Sequence, residues 1–210
     1  MPALLQAPAV SVAKTSMTVL ALAGSPSLSS RSSALLHRAA ALLGERGLAV
    51  STLGLRDLPA EDLIEGNYAG PAAAALRARV HAASALLIAT PVYKASFSGG
   101  LKAVLDLLDE KALAGKVVLP IATGGSLAHL LALEYTLKPV LSALGARHIL
   151  GSVFATEQQV RLTDDGAAAL DDELNQRLHT GVEQLAGHVA PPPSERYDLG
   201  QLLAQARFSI

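Results

Sequence analysis

The sequence predicts an α/β protein: a five-stranded parallel sheet with helices on both faces. Three observations carry that expectation. Short apolar runs alternate with stretches whose apolar residues recur at helical spacing, and the connections between them are brief. The runs are apolar throughout, as strands buried on both faces require. The 210 residues, half of them hydrophobic and 17% charged, suit one domain with a sizeable core.

Thr18-Val-Leu-Ala-Leu-Ala23 reads as the first strand, followed by the loop Gly24-Ser-Pro-Ser-Leu-Ser-Ser-Arg-Ser-Ser33. Leu35, Leu36, Ala39, Leu42 and Leu43 then place one apolar stripe on a helix that Gly44 and Gly47 end. Ala49-Val-Ser-Thr-Leu53 is the second strand, and 57–70 is polar and loop-like. A helix over 71–83 opens on Pro71, where a missing donor costs nothing. Ala85-Leu-Leu-Ile-Ala89 is the third strand, and a loop runs from Thr90 into a helix over 98–108.

Lys116-Val-Val-Leu-Pro-Ile-Ala122 is the fourth strand, with Pro120 expected as a local break near its end. Thr123-Gly-Gly-Ser126 is a tight loop, and 128–144 a long helix stopped by Gly145. The fifth strand is 148–154, and a last helix covers 167–187, with Asp171, Asp172 and Glu173 near its start. Five alternating strands suggest right-handed crossovers and the flavodoxin-like order 2-1-3-4-5. The domain spans 17–190. Residues 1–16 are expected to be a disordered extension, and 191–210, after the prolines Pro191 to Pro193, a tail.

Composition removes several function classes. Seventeen Lys and Arg against eighteen Asp and Glu give a net charge of −1, without the basic excess of a nucleic-acid binder. No apolar run reaches the length of a membrane span, and 1–16 has no basic region of the signal-peptide kind, so a cytoplasmic protein is expected. There is no cysteine, hence no disulfide or thiolate chemistry. The six histidines show no HxH or HxxxH spacing, and no metal site is expected.

The loops after strands one, three and four meet at the carboxyl edge of such a sheet, where open α/β folds bind ligands. The first, rich in serine and carrying Arg31, leads into a helix N-terminus, an arrangement suited to a phosphate. It has neither GxxxxGK[ST] nor GxGxxG, so one phosphate is expected and not a pyrophosphate. The other two, Thr90-Pro-Val-Tyr-Lys-Ala-Ser-Phe-Ser-Gly-Gly100 and 123–126, are glycine-rich with few acid–base side chains. That is the profile of a site for a planar cofactor carrying its own chemistry.

At these loops the sequence resembles the NAD(P)H-dependent FMN reductases, in particular the SsuE-like branch of sulfonate utilisation. The residues that carry the likeness are Ala23-Gly-Ser-Pro26, Ser30-Arg-Ser-Ser33, Ala89-Thr-Pro-Val-Tyr-Lys94, Gly115-Lys-Val-Val-Leu-Pro120, Ala122-Thr-Gly-Gly125 and His129-Leu-Leu-Ala132. The resemblance spans about 18–155. It implies a flavodoxin-like fold, a homo-oligomer (dimer or tetramer) and FMN reduced by NADPH or NADH through direct hydride transfer to flavin N5. By the same likeness Ser25, Ser30, Arg31, Ser32 and Ser33 would hold the FMN phosphate. Pro91, Val92, Tyr93, Lys94 and Ser98 would line the ring, with Thr123, Gly124, Gly125 and Ser126 at its other edge. Tyr135 would sit in a π-helical turn at a subunit interface. Reduced FMN would pass to a separate monooxygenase that desulfonates alkanesulfonates. A reductase that keeps FMN and reduces quinones, azo dyes or metals is the alternative.

Overall fold

The computed structural model describes residues 18–163 and 167–189; the 1–16 extension and the 191–210 tail lie outside them. Its frame is a parallel sheet of β1 (Thr18–Ala23), β2 (Ala49–Gly54), β3 (Ala85–Tyr93) and β5 (Val117–Gly124), completed by β6 (His148–Ile149) and β7 (Val153–Thr156). The order is β2-β1-β3-β5-β6, with β7 also on β5. The fifth expected strand is thus present in two pieces. A two-residue strand, β4 (Ser96–Phe97), folds back antiparallel on the end of β3, bringing this sheet to seven strands.

Side chains alternate between the two faces of the sheet, as strand geometry demands. Val19, Ala21, Leu87, Leu119 and Ile121 pack against α1 (Arg31–Glu45) and α6 (Asp172–Val189). Leu20, Leu22, Leu86, Ile88 and Val118 face α3 (Pro71–Ala82), α4 (Gly99–Asp106) and α5 (Lys138–Ala143). Every residue of β5 is buried, which makes it the centre of the molecule.

Several elements differ from expectation. Pro120 does not break its strand: β5 runs through it in register with Ile88. In a parallel strand a residue points its N–H and C=O to the same side, alternating along the chain. The Val118 carbonyl accepts from Leu150 N, so Pro120, two residues on, also faces the outer strand. That strand is interrupted there, between β6 and β7, and no donor is missed. Pro91 follows the same rule. The Ala89 carbonyl accepts from Gly24 N, so Pro91 faces the side where β1 has already ended. The third strand therefore continues to Tyr93, in register with β5 as far as Pro91–Thr123, and carries what was read as loop.

The 57–70 region holds the short helix α2 (Ala60–Glu65) after a 3-10 turn at Leu55–Asp57. The single helix expected over 128–144 is three pieces: a 3-10 turn at Leu127–Leu130, a π-helix at Leu133–Leu137, and α5. The last helix starts later than 167, because Ala168–Leu170 (β9) pairs antiparallel with Val160–Leu162 (β8). Asp171 caps that helix by accepting from Leu174 N at 2.7 Å.

Candidate functional site

Four loops converge at the carboxyl edge of the sheet and enclose a solvent-open cleft of about 190 Å³. It is lined by Ser25, Ser27, Ser29, Ser30 and Arg31 from the first loop, and by Pro91, Val92 and Tyr93 from the end of β3. Thr123, Gly124 and Gly125 come from β5, and Glu157 from the turn after β7. Of the fourteen expected binding residues, Ser25, Ser30, Arg31, Pro91, Val92, Tyr93, Thr123, Gly124 and Gly125 line this cleft. Ser32, Ser33, Lys94, Ser98 and Ser126 do not.

The serine loop is held by its own hydroxyls. Ser30 is extended, with φ −138° and ψ 122°, and caps α1 by accepting from Ser33 N at 3.3 Å. Its Oγ also lies 3.0 Å from Ser32 Oγ, on a residue that is almost fully buried. Ser32 and Ser33 thus support the cap from behind. Ser25 is buried too, and its Oγ accepts from Ser27 N at 3.2 Å. The amides of the first turn of α1 have no intrahelical partners and, with the dipole, offer a positive end to an anion. Arg31, the first residue of α1, donates from Nε to the Val160 carbonyl at 3.2 Å. Its NH1 is 3.9 Å from Glu157 Oε2.

Ser98 has a task away from the cleft. It is 1% exposed; its Oγ donates to the Gly24 carbonyl and accepts from Leu101 N at 3.0 Å, capping α4. Its own N–H donates to Thr90 Oγ1 at 3.0 Å. Gly24 has to be glycine, since a Cβ there would stand 2.8 Å from Leu101 Cβ and 3.0 Å from the Ala89 carbonyl. This knot clamps the first loop against the second.

Lys94 and Ala95 form the tip of the β3–β4 hairpin. Both have positive φ, 50° and 61°, the geometry of a type I′ turn. Two non-glycine residues held so carry backbone strain, a feature that clusters at ligand clamps. Tyr93, beside them, is 48% exposed at the rim of the cleft. Across the cleft, a Cβ at Gly124 would meet His129 and Phe154 at 3.0–3.1 Å, whereas Gly125 has open space. That edge is bare backbone, well suited to a flat ring.

The wide turn at Leu133–Leu137 contains Tyr135, which is 75% exposed. Leu127 and Leu131 precede it at four-residue steps and are also exposed, at 69% and 56%. Among the described residues, no group of three or more His, Asp or Glu is placed to hold a metal ion. Within the same residues, no helix is long and apolar enough to cross a membrane. Sequence reasoning missed Glu157. Its only signal was position, directly after a strand at the same sheet edge as the other loops.

A family model for NADPH-dependent FMN reductase matches residues 17–161. An FMN reductase (NADPH) of Pseudomonas putida is 48% identical over 199 residues, 92% of this chain and 100% of the relative. Its namesake from Escherichia coli is 51% identical over 167 residues, 80% of this chain and 87% of that one. A more distant relative, 35% identical over 111 residues (53% of this chain, 60% of its own), is called NADH-dependent FMN reductase SfnE, also from Pseudomonas putida. Among solved structures, the apo form of an NADH:FMN oxidoreductase (EMOB) superposes with a TM-score of 0.74 at 34% identity. The match covers 89% of this chain and 98% of that one.

Proposed function

The chain belongs to the NADPH-dependent FMN reductases, and from that premise we propose that the carboxyl-edge cleft holds FMN only for a turnover and releases it reduced. The enzyme is an NAD(P)H:FMN oxidoreductase. Bound FMN supplies the redox chemistry, accepting a hydride from NADPH or NADH; the protein binds, orients and lets go.

The residues fit that group. The first-turn amides of α1, Ser30 and Arg31 would take the phosphate, with Ser25, Ser27 and Ser29 lining the same end of the cleft. The bare backbone of Gly124 and Gly125 would hold one edge of the ring, and Pro91, Val92 and Tyr93, which line the same cleft, would cover another. The observation that carries release is the poverty of this grip. Among the described residues Tyr93 is the single aromatic lining the cleft, and it is half exposed. Nothing in that lining sandwiches a ring between aromatics, the arrangement that would hold a flavin tightly.

The receiver of reduced FMN is a separate FMN-dependent monooxygenase, and alkanesulfonate desulfonation is the reaction we assign to it. The sulfonate-branch resemblance and the absence of cysteine support this choice. The apolar stripe Leu127–Leu131–Tyr135 is a subunit contact in a dimer or tetramer, and L131E should lower the mass measured by light scattering.

Dialysed protein should be nearly colourless and should oxidise NADPH or NADH only when FMN is added. In R31A the Kd for FMN should rise while that for riboflavin, which lacks the phosphate, stays put. Added to an alkanesulfonate monooxygenase, the wild type should support sulfite release. A yellow protein that keeps FMN through dialysis and turns over without free flavin would overturn the reading.

A further inference from the structure

We infer that Glu157 sets how loosely FMN is held, because its carboxylate competes with the flavin phosphate for the Arg31 guanidinium. The inference rests on the phosphate end of the cleft as read above.

Among the described residues, Arg31 and Glu157 are the two charged side chains that line the cleft, and their formal charges cancel where a phosphate dianion has to settle. The guanidinium is fixed from one side by the bond from Nε to the Val160 carbonyl. Its NH1 faces Glu157 Oε2 across 3.9 Å. Glu157 does not hang from a slack loop. In its turn Gln159 N donates to the Thr156 carbonyl and Gln159 Oε1 accepts from Thr156 N, both at 3.1 Å. The Gln159 carbonyl accepts from Asp171 N at 3.1 Å, tying the turn to the start of α6.

An incoming phosphate therefore meets a negative charge that the fold itself delivers to the cation it needs. It has either to displace the carboxylate or to share Arg31 with it. Both side chains are about half exposed, so water weakens the contest without abolishing it. The consequence is a Kd tuned for exchange, as a flavin handed onward requires.

Flavin fluorescence titrations of ligand-free wild type, E157Q and R31A, each with FMN and with riboflavin, test this. In E157Q the Kd for FMN should fall roughly 1.5- to 5-fold, the range expected of a half-exposed charge contact, with riboflavin unchanged. The gain should shrink in 1 M salt, where screening reaches about 3 Å. An unchanged or weaker FMN affinity in E157Q, or an equal gain for riboflavin, overturns the role of Glu157. If R31A still separates FMN from riboflavin in that case, the phosphate reading survives. If R31A weakens both flavins alike, that reading falls and the inference with it. Glu157 is exposed on a turn, so the Gln variant should melt at the wild-type temperature.

Discussion

Ser98 offers the sharpest test of how the site is assembled, because the family resemblance places it on the flavin ring and the structure places it beneath the cleft. Replacing it with alanine deletes one buried hydroxyl with two partners. The Leu101 amide loses its cap, which costs about 0.5–2 kcal/mol at a helix N-terminus. The Gly24 carbonyl, buried and 74 residues away in sequence, loses its donor, at about 1–3 kcal/mol. The two effects together should destabilise the ligand-free protein by about 2–4 kcal/mol, lowering Tm by roughly 4–15 °C for a chain of this size. Circular-dichroism melts of the wild type and S98A give that number, and FMN titration below the transition gives the second. A contact with the ring would leave ligand-free stability intact and show only in flavin affinity. An unchanged Tm with a large loss of FMN binding would refute the knot.

Three further outcomes follow from local geometry. G124A should lose about 1–3 kcal/mol of stability by overpacking against His129 and Phe154 and should weaken FMN binding, read by melting and by flavin titration. Within α6 the two glycines should behave oppositely. At Gly181 a Cβ meets Leu119 and Val153 at 3.2–3.3 Å and alanine should destabilise, whereas Gly187 has open space and G187A should gain about 0.5–1 kcal/mol in denaturant titration. Tyr68 donates to Asp109, which, with minor burial, holds its phenol above the ordinary value, while Arg77 over its ring pulls weakly the other way. A folded-state pKa raised above the unfolded value means a contribution to stability present below about pH 10 and lost as pH rises through the raised value. Ultraviolet titration should show a late-ionising tyrosine whose signal D109A moves back toward the ordinary value.

Much of this was legible in the residues. Short apolar runs at 18–23, 85–89 and 116–122, alternating with helical periodicity, pointed to strands buried on both faces and so to a parallel sheet, and their number suggested its order. The serine-rich loop and the glycines at 124 and 125 could be read as suited to a phosphate and a flat ring because both recognitions use local backbone chemistry, and the structure brings them to one cleft. Less legible were the prolines. Pro120 looked like a break in isolation and is harmless because the neighbouring strand, some thirty residues later, is itself interrupted at that level.

Composition and periodicity by themselves determined the fold class, since it depends on short-range pattern, while the strand order followed only by analogy with five-stranded doubly wound sheets. Tertiary structure alone decided what each polar side chain does there. Whether a serine hydroxyl faces a ligand or a carbonyl 74 residues away depends on what the fold brings within 3 Å of it. The same holds for Glu157. Its sequence neighbours say only that it is a polar turn residue, and its bearing on Arg31, 126 positions earlier, arises because β7 ends and α1 begins at one edge of one sheet.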